Sequence, residues 1–108
     1  MAYDEALAER IRNHFGEDPD VAEMKMFGGI AYMFRGNMAV GIHGDGLMVR
    51  LGDGATSAID EPGASVMTMG GKPMKGFLVI DAGAIADDAT LSAWIDRGVE
   101  FAASLPPK

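Results

Sequence analysis

Residues 26–51, MFGGIAYMFRGNMAVGIHGDGLMVRL, interleave short runs of strand-forming residues with glycine turns. They predict three strands joined by tight hairpins, and so an antiparallel sheet. Register matters more here than strand count, because a slip of one residue moves every side chain of a strand to the opposite face. Gly36-Asn37 and Gly44-Asp45 both suit two-residue type II′ loops with glycine first. The first loop then sets Arg35 opposite Met38, Met33 beside Val40 and Ala31 beside Ile42. The second sets His43 opposite Gly46, Ile42 beside Leu47, Val40 beside Val49 and Met38 beside Leu51.

On this register one face is nearly all apolar: Ala31, Met33, Met38, Val40, Ile42, Leu47, Val49 and Leu51. It is the expected core face. The other carries Ile30, Tyr32, Phe34, Ala39, Gly41, His43, Met48 and Arg50, with Tyr32 opposite Gly41. That face is too apolar for ordinary solvent exposure, and two readings follow. It is a surface for a protein partner or a homodimer, with Tyr32, Phe34, Gly41, His43, Met48 and Arg50 as its contacts, or a second core layer covered by residues 55–80 or a helix.

The flanks read as helices. Tyr3, Leu7, Ile11 and Phe15 form an i, i+4 stripe with Glu9, Arg10 and Arg12 turned outward, and Gly16 suits a left-handed cap. The segment EDPD after it predicts a turn, with strand-like sequence beginning near Met24. At the other end Asp87 or Asp88 can cap a helix bearing Leu91, Trp94, Ile95, Ala102 and Leu105, stopped by Pro106 and Pro107. Gly98 falls inside it, as a tolerated residue or as a point of close approach to a strand or partner. Between lie a weak short helix at ATSAIDEPG and two further strands, VMTM at Val66–Met69 and GFLVID at Gly76–Asp81. The expected fold is therefore α+β, a sheet of five to six strands with both terminal helices on one face.

With 108 residues, 48% of them hydrophobic, one domain with one core is expected. No run of apolar residues reaches membrane-spanning length, and the N-terminus has acids where a signal peptide has bases. The absence of cysteine excludes disulfides and thiolate chemistry and fits a reducing, cytoplasmic setting. The net charge of −7 is uneven. From Lys25 to Ile80 five basic residues meet four acids, for +1, and the flanks hold the remaining −8. Such a chain repels phosphate backbones at long range, which argues against direct nucleic-acid binding.

No catalytic set stands out. His14 and His43 are the only histidines and have no cysteine to complete a zinc shell, so no metal is expected. His43 beside Asp45 has the makings of a general base but no nucleophile spaced to use it. The glycine runs GDG at 44, GDG at 52 and MGGKPMKG at Met69 match neither a dinucleotide fingerprint nor a P-loop. Gly70, Gly71, Lys72 and Lys75 form a candidate anion nest, and with Arg50 they support an alternative as a small-anion or nucleotide binder. No cofactor is called for.

Several motifs carry a resemblance: M-F-G-G at Met26, G-N-M at Gly36, G-x-H-G-D-x-L-x-V-R-L from Gly41, and G-K-P-M-K-G-F from Gly71. With the closing helix from Asp87 to Leu105 and its SLPPK tail, the chain resembles the TfoX N-terminal domain family over nearly its whole length. The resemblance implies an α+β fold with helices on one side of an antiparallel sheet, similar in outline to type III secretion chaperones. In the family's competence regulator a second, helical domain follows this one, and the whole protein activates natural competence genes with the cyclic-AMP receptor protein. A chain ending at Lys108 is expected to be a stand-alone regulatory or interaction module, not an enzyme. The family supplies no catalytic residues to carry over.

Overall fold

The computed structural model describes residues 4–26, 29–69 and 71–107, and only the backbone of Met26 and Met69. Tyr3 of the helical stripe, Phe27 and Gly28 of the first motif, and Gly70 of the candidate nest lie outside the described residues. The elements are α1 (Glu5–Phe15), β1 (Val21–Met26), β2 (Gly29–Phe34), β3 (Asn37–His43), β4 (Gly46–Arg50), α2 (Ala55–Ala58), β5 (Ala64–Met69), β6 (Lys72–Ile80) and α3 (Asp88–Ala103). Short 3₁₀ turns precede α2 and α3. All six strands pair antiparallel in the order β1-β2-β3-β4-β6-β5. The expected α+β architecture is the one observed.

The helices start where the sequence offers acceptors for their free N–H groups. Asp4 Oδ1 accepts from the backbone of Ala6 and Leu7, and an Asp87 carboxylate oxygen accepts from Thr90 at 2.9 Å. Gly16 ends α1 with φ +61°, but its ψ of −134° lies outside the left-handed helical region, so the expected cap is replaced by a sharper exit toward β1. Leu7, Ala8 and Ile11 of α1, Ala55 and Ala58 of α2, and Leu91, Trp94 and Ile95 of α3 share one core with the strands. Every described helix lies on the same side of the sheet.

Gly98 explains how closely α3 sits. A Cβ built there would stand 2.5 Å from the Ala39 carbonyl oxygen and 2.8 Å from Val40 Cγ1, distances no real side chain tolerates. It is a point of close approach to β3, and the roof can rest on the middle strands only because this position has no side chain.

The second hairpin has the expected register, with His43 opposite Gly46, Ile42 opposite Leu47 and Val40 opposite Val49. The first does not. Its loop is Arg35-Gly36, both at positive φ (51° and 84°), as a type I′ turn requires, so Phe34 faces Asn37. Ala39 then bulges out of β3, and across the sheet centre Tyr32 faces Val40 and Ile30 faces Ile42. Relative to the expected pairing, β2 has slipped by one residue and its faces are exchanged. Tyr32 and Ile30 are core residues, 2% and 1% exposed, while Ala31 and Met33 belong to the other side. Asp20, from outside the hairpin, and the neighbouring Phe34 ring hold the strained Arg35. Its N–H donates to the Asp20 carbonyl at 2.8 Å, and its guanidinium lies 5.0 Å from the Phe34 ring centroid.

The slip also turns Asn37 inward, 2% exposed, where its Nδ2 donates to the Pro106 carbonyl at 2.9 Å and ties down the C-terminal tail. Tyr32 packs on Phe15, with ring centroids 5.9 Å apart, and its hydroxyl donates to the Ala8 carbonyl.

Candidate functional site

Opposite the helices, the centre of the sheet presents Ala31, Met33, Met38, Gly41, Met48 and Val79. Register joins them, with Ala31 opposite Gly41, Met33 opposite Met38, Gly41 opposite Met48, and Met48 opposite Val79. The methyl carbons of Met48 and Met38 lie 2.8 and 3.2 Å from where a Cβ of Gly41 would stand, so two methionines close over one bare backbone position. Met24, opposite Ala31 on edge strand β1, extends the patch and is 49% exposed. Met33, Met38, Met48 and Val79 are half-buried and lie outside the main core.

Residues 55–80 do not cover this face. They extend the sheet sideways as β6 and β5, with α2 on the helix side. Among the described residues no helix or loop lies over the methionines.

The expected contact residues therefore divide. Gly41 and Met48 are on this face. His43 is exposed at the end of β3, beside the Gly44 turn. Tyr32 is removed to the helix-side core by the register slip, and half-buried Phe34 sits at the first turn beneath Arg35. Arg50 ends β4, its guanidinium 5.8 Å from the Phe77 ring centroid and 5.4 Å from that of Phe101 on α3. It is held by two aromatic faces at the margin where sheet meets helix layer, and among the described residues it has no carboxylate partner. Met33 and Met38, expected in the core, take the places of Tyr32 and Phe34.

The candidate anion residues are spread out. Lys72 is exposed at the β5–β6 hairpin, opposite Met69, and the neighbouring Gly71 has φ +81°. Lys75 lies further on, at the rim of an apolar hollow of about 340 Å³ that also includes Ile59, Val66, Pro73 and Leu78. The hollow forms because β6 bulges: Met74–Phe77 stand against the single residue Met67, and the Gly76 carbonyl turns to accept from Leu51 N–H.

One constellation escaped the sequence reading. His14 Nδ1 lies 3.2 Å from Ser92 Oγ and its Nε2 lies 2.9 Å from Asp96 Oδ1, the connectivity of a Ser-His-Asp triad. The rest of such a site is not built. Ser92 lies inside α3, where backbone N–H groups are taken by the helix, and the Asp96 side chain is 70% exposed. Arg10 next to it is spent on Asp88 and on the carbonyls of Ile85 and Ala86. The trio reads as a clasp between α1 and α3. Its members are 78 and 82 residues apart in sequence, with only the i, i+4 spacing of Ser92 and Asp96 as a hint.

Two carboxylates are perturbed, both by local bonding. The Arg12 guanidinium, 2.7 Å from Glu23, holds that carboxyl below its ordinary range against the opposing effect of burial, and the Tyr32 hydroxyl adds to the lowering. Asp87 is lowered by the Thr90 N–H and hydroxyl that it caps. Glu23 lines a shallow hollow with Arg12, Phe15, Gly16, Asp18, Val21 and Tyr32, with no serine or threonine among those residues. No described helix is long and apolar enough to cross a membrane.

The TfoX N-terminal domain model matches residues 13–102, from the last turn of α1 to the last turn of α3. The chain belongs to the TfoX N-terminal domain family. The matched span contains all six strands and the roof helix, so the methionine face lies wholly within the family domain. No curated protein and no solved structure matches the chain.

Proposed function

We propose that this TfoX N-terminal domain is a non-enzymatic regulatory module that works by protein contact through the methionine face of its sheet. One observation carries the reading: a sheet roofed on one side carries on the other a row of half-buried Met33, Met38, Met48 and Val79 beside the fully buried Ala31, all outside the helix-side core. Contiguous apolar patches on small soluble domains mark interaction sites, and unbranched, polarizable methionine adapts to more than one partner shape. The family supports a place beside competence-type regulators, and the acidic flanks oppose direct nucleic-acid contact. A reducing, cytoplasmic setting suits a chain without cysteine.

NMR of the chain methyl-labelled at methionine and isoleucine tests it. Adding extract of the source cells should broaden or shift the Met33, Met38 and Met48 methyl signals while the Ile11 and Ile95 methyls stay in place. A double substitution Met33→Gln with Met48→Gln, folded by its thermal transition, should abolish the response. Methionine signals identical in buffer and extract would remove the basis for this reading.

A further inference from the structure

The two edges of the sheet are built differently. β1 carries Glu23 and Lys25, and charges on an edge discourage pairing with another strand. β5, ASVMTM, has neither charge nor proline, and its Val66 is 49% exposed. The irregularity in the β5–β6 ladder places the surplus residues in β6, so the outer strand runs unbroken, and beyond Ala64, whose N–H donates to the Glu61 carbonyl, no described backbone group pairs along its outer side. A bare uncharged edge is a template for another strand.

The charge at its ends indicates which strand. Asp60 and Glu61 precede β5, and the chain returns after it through Lys72 and Lys75. Glu61 is engaged by Arg97 at 2.8 Å. Asp60, Lys72 and Lys75 are exposed and without ion pairs among the described residues. An antiparallel partner with the same sequence sets the acidic end of each copy beside the basic end of the other, and a twofold axis makes both contacts at once. The net charge of −7 opposes association at long range, whereas the complementarity at the ends acts on contact.

We propose that β5 pairs antiparallel with β5 of a second copy of this chain about a twofold axis, joining two six-stranded sheets into one. Val66 and the apolar hollow beside it are brought to the seam, and the two methionine faces become one continuous surface on one side of the joined sheet. This goes beyond the partner surface proposed above and uses different residues.

Sedimentation analysis combined with hydrogen exchange, from about 1 to about 500 µM chain, tests it by mass action. The mass should rise from 11.4 kDa toward twice that value. The β5 amides should gain protection with concentration while those of β1 do not. Thr68→Lys, an exposed edge position, should weaken association about tenfold or more. Asp60→Lys and Lys72→Glu should each weaken it, and the two together should restore it. A constant 11.4 kDa at every concentration overturns the proposal, as does a dimer whose β5 amides exchange freely and which ignores Thr68→Lys. A monomer whose methionine signals still respond to extract would end this inference and leave the partner surface standing.

Discussion

The two faces of the sheet are built from similar residue types in opposite ways. The helix-side face sets Tyr32, Val40, Ile42, Leu47, Val49, Leu78 and Ile80 against α1, α2 and α3, each no more than 2% exposed. The far face has methionine where this one has branched aliphatics, and its side chains cover one another and bare glycine. Branched and aromatic side chains with few rotamers specify one packing, and unbranched methionine tolerates several. One face determines the fold, and the residues of the other lie outside that core.

Leu47→Ala should have the largest effect, costing about 3 kcal/mol, because it opens a cavity in a completely buried layer. Denaturant unfolding measures it, and a loss below about 1 kcal/mol, the size of a surface change, would mean the faces are not so different. Gly98→Ala should cost about 2 kcal/mol by overpacking, since the nearest atom is the Ala39 carbonyl oxygen of the β3 backbone, which cannot swing away, and the next is a methyl of the buried Val40. A neutral result there would show that α3 can lift from the sheet at no cost.

On the other face, Met48→Gln should cost less than about 1 kcal/mol while removing the response to a partner. A loss as large as that of Leu47→Ala would make this face a second core.

The smallest effect is a dependence on pH at the β1 margin. Glu23 titrates below its ordinary 4.5 in the folded chain, so its contribution is present above that value and is lost as pH falls through the lowered one. The stability gap between the native chain and Glu23→Gln should be constant near neutrality and close under acid. A gap that widens on acidification would show that the Arg12 contact does not govern this carboxylate.

Much of the molecule was legible because it rests on local chemistry. The Asp87 cap, the helical stripes and the second hairpin each follow from residues a few positions apart, whereas the sequence left Gly98 open and its approach to Ala39 and Val40 is a contact between distant segments. The first hairpin departs from its local signal because its turn is held from outside it. Gly36-Asn37 looks like a glycine-first loop, but the turn that formed takes Arg35 into positive φ, held by Asp20 from beyond β1 and by the Phe34 ring. The candidate site inherited that error, since exchanging the faces of β2 traded Tyr32 for Met33.

By itself the sequence determined that two terminal helices accompany an antiparallel sheet and that the sheet's second face is too apolar for ordinary exposure, because these depend on periodicity and turn chemistry along the chain; β1 and β6 begin earlier than it indicated, at Val21 and Lys72. Only the tertiary structure decided which residues make that second face. Register across a hairpin depends on a turn stabilised from outside it and on a bulge at Ala39 beneath Gly98 of α3, and no contact between neighbours in sequence encodes either.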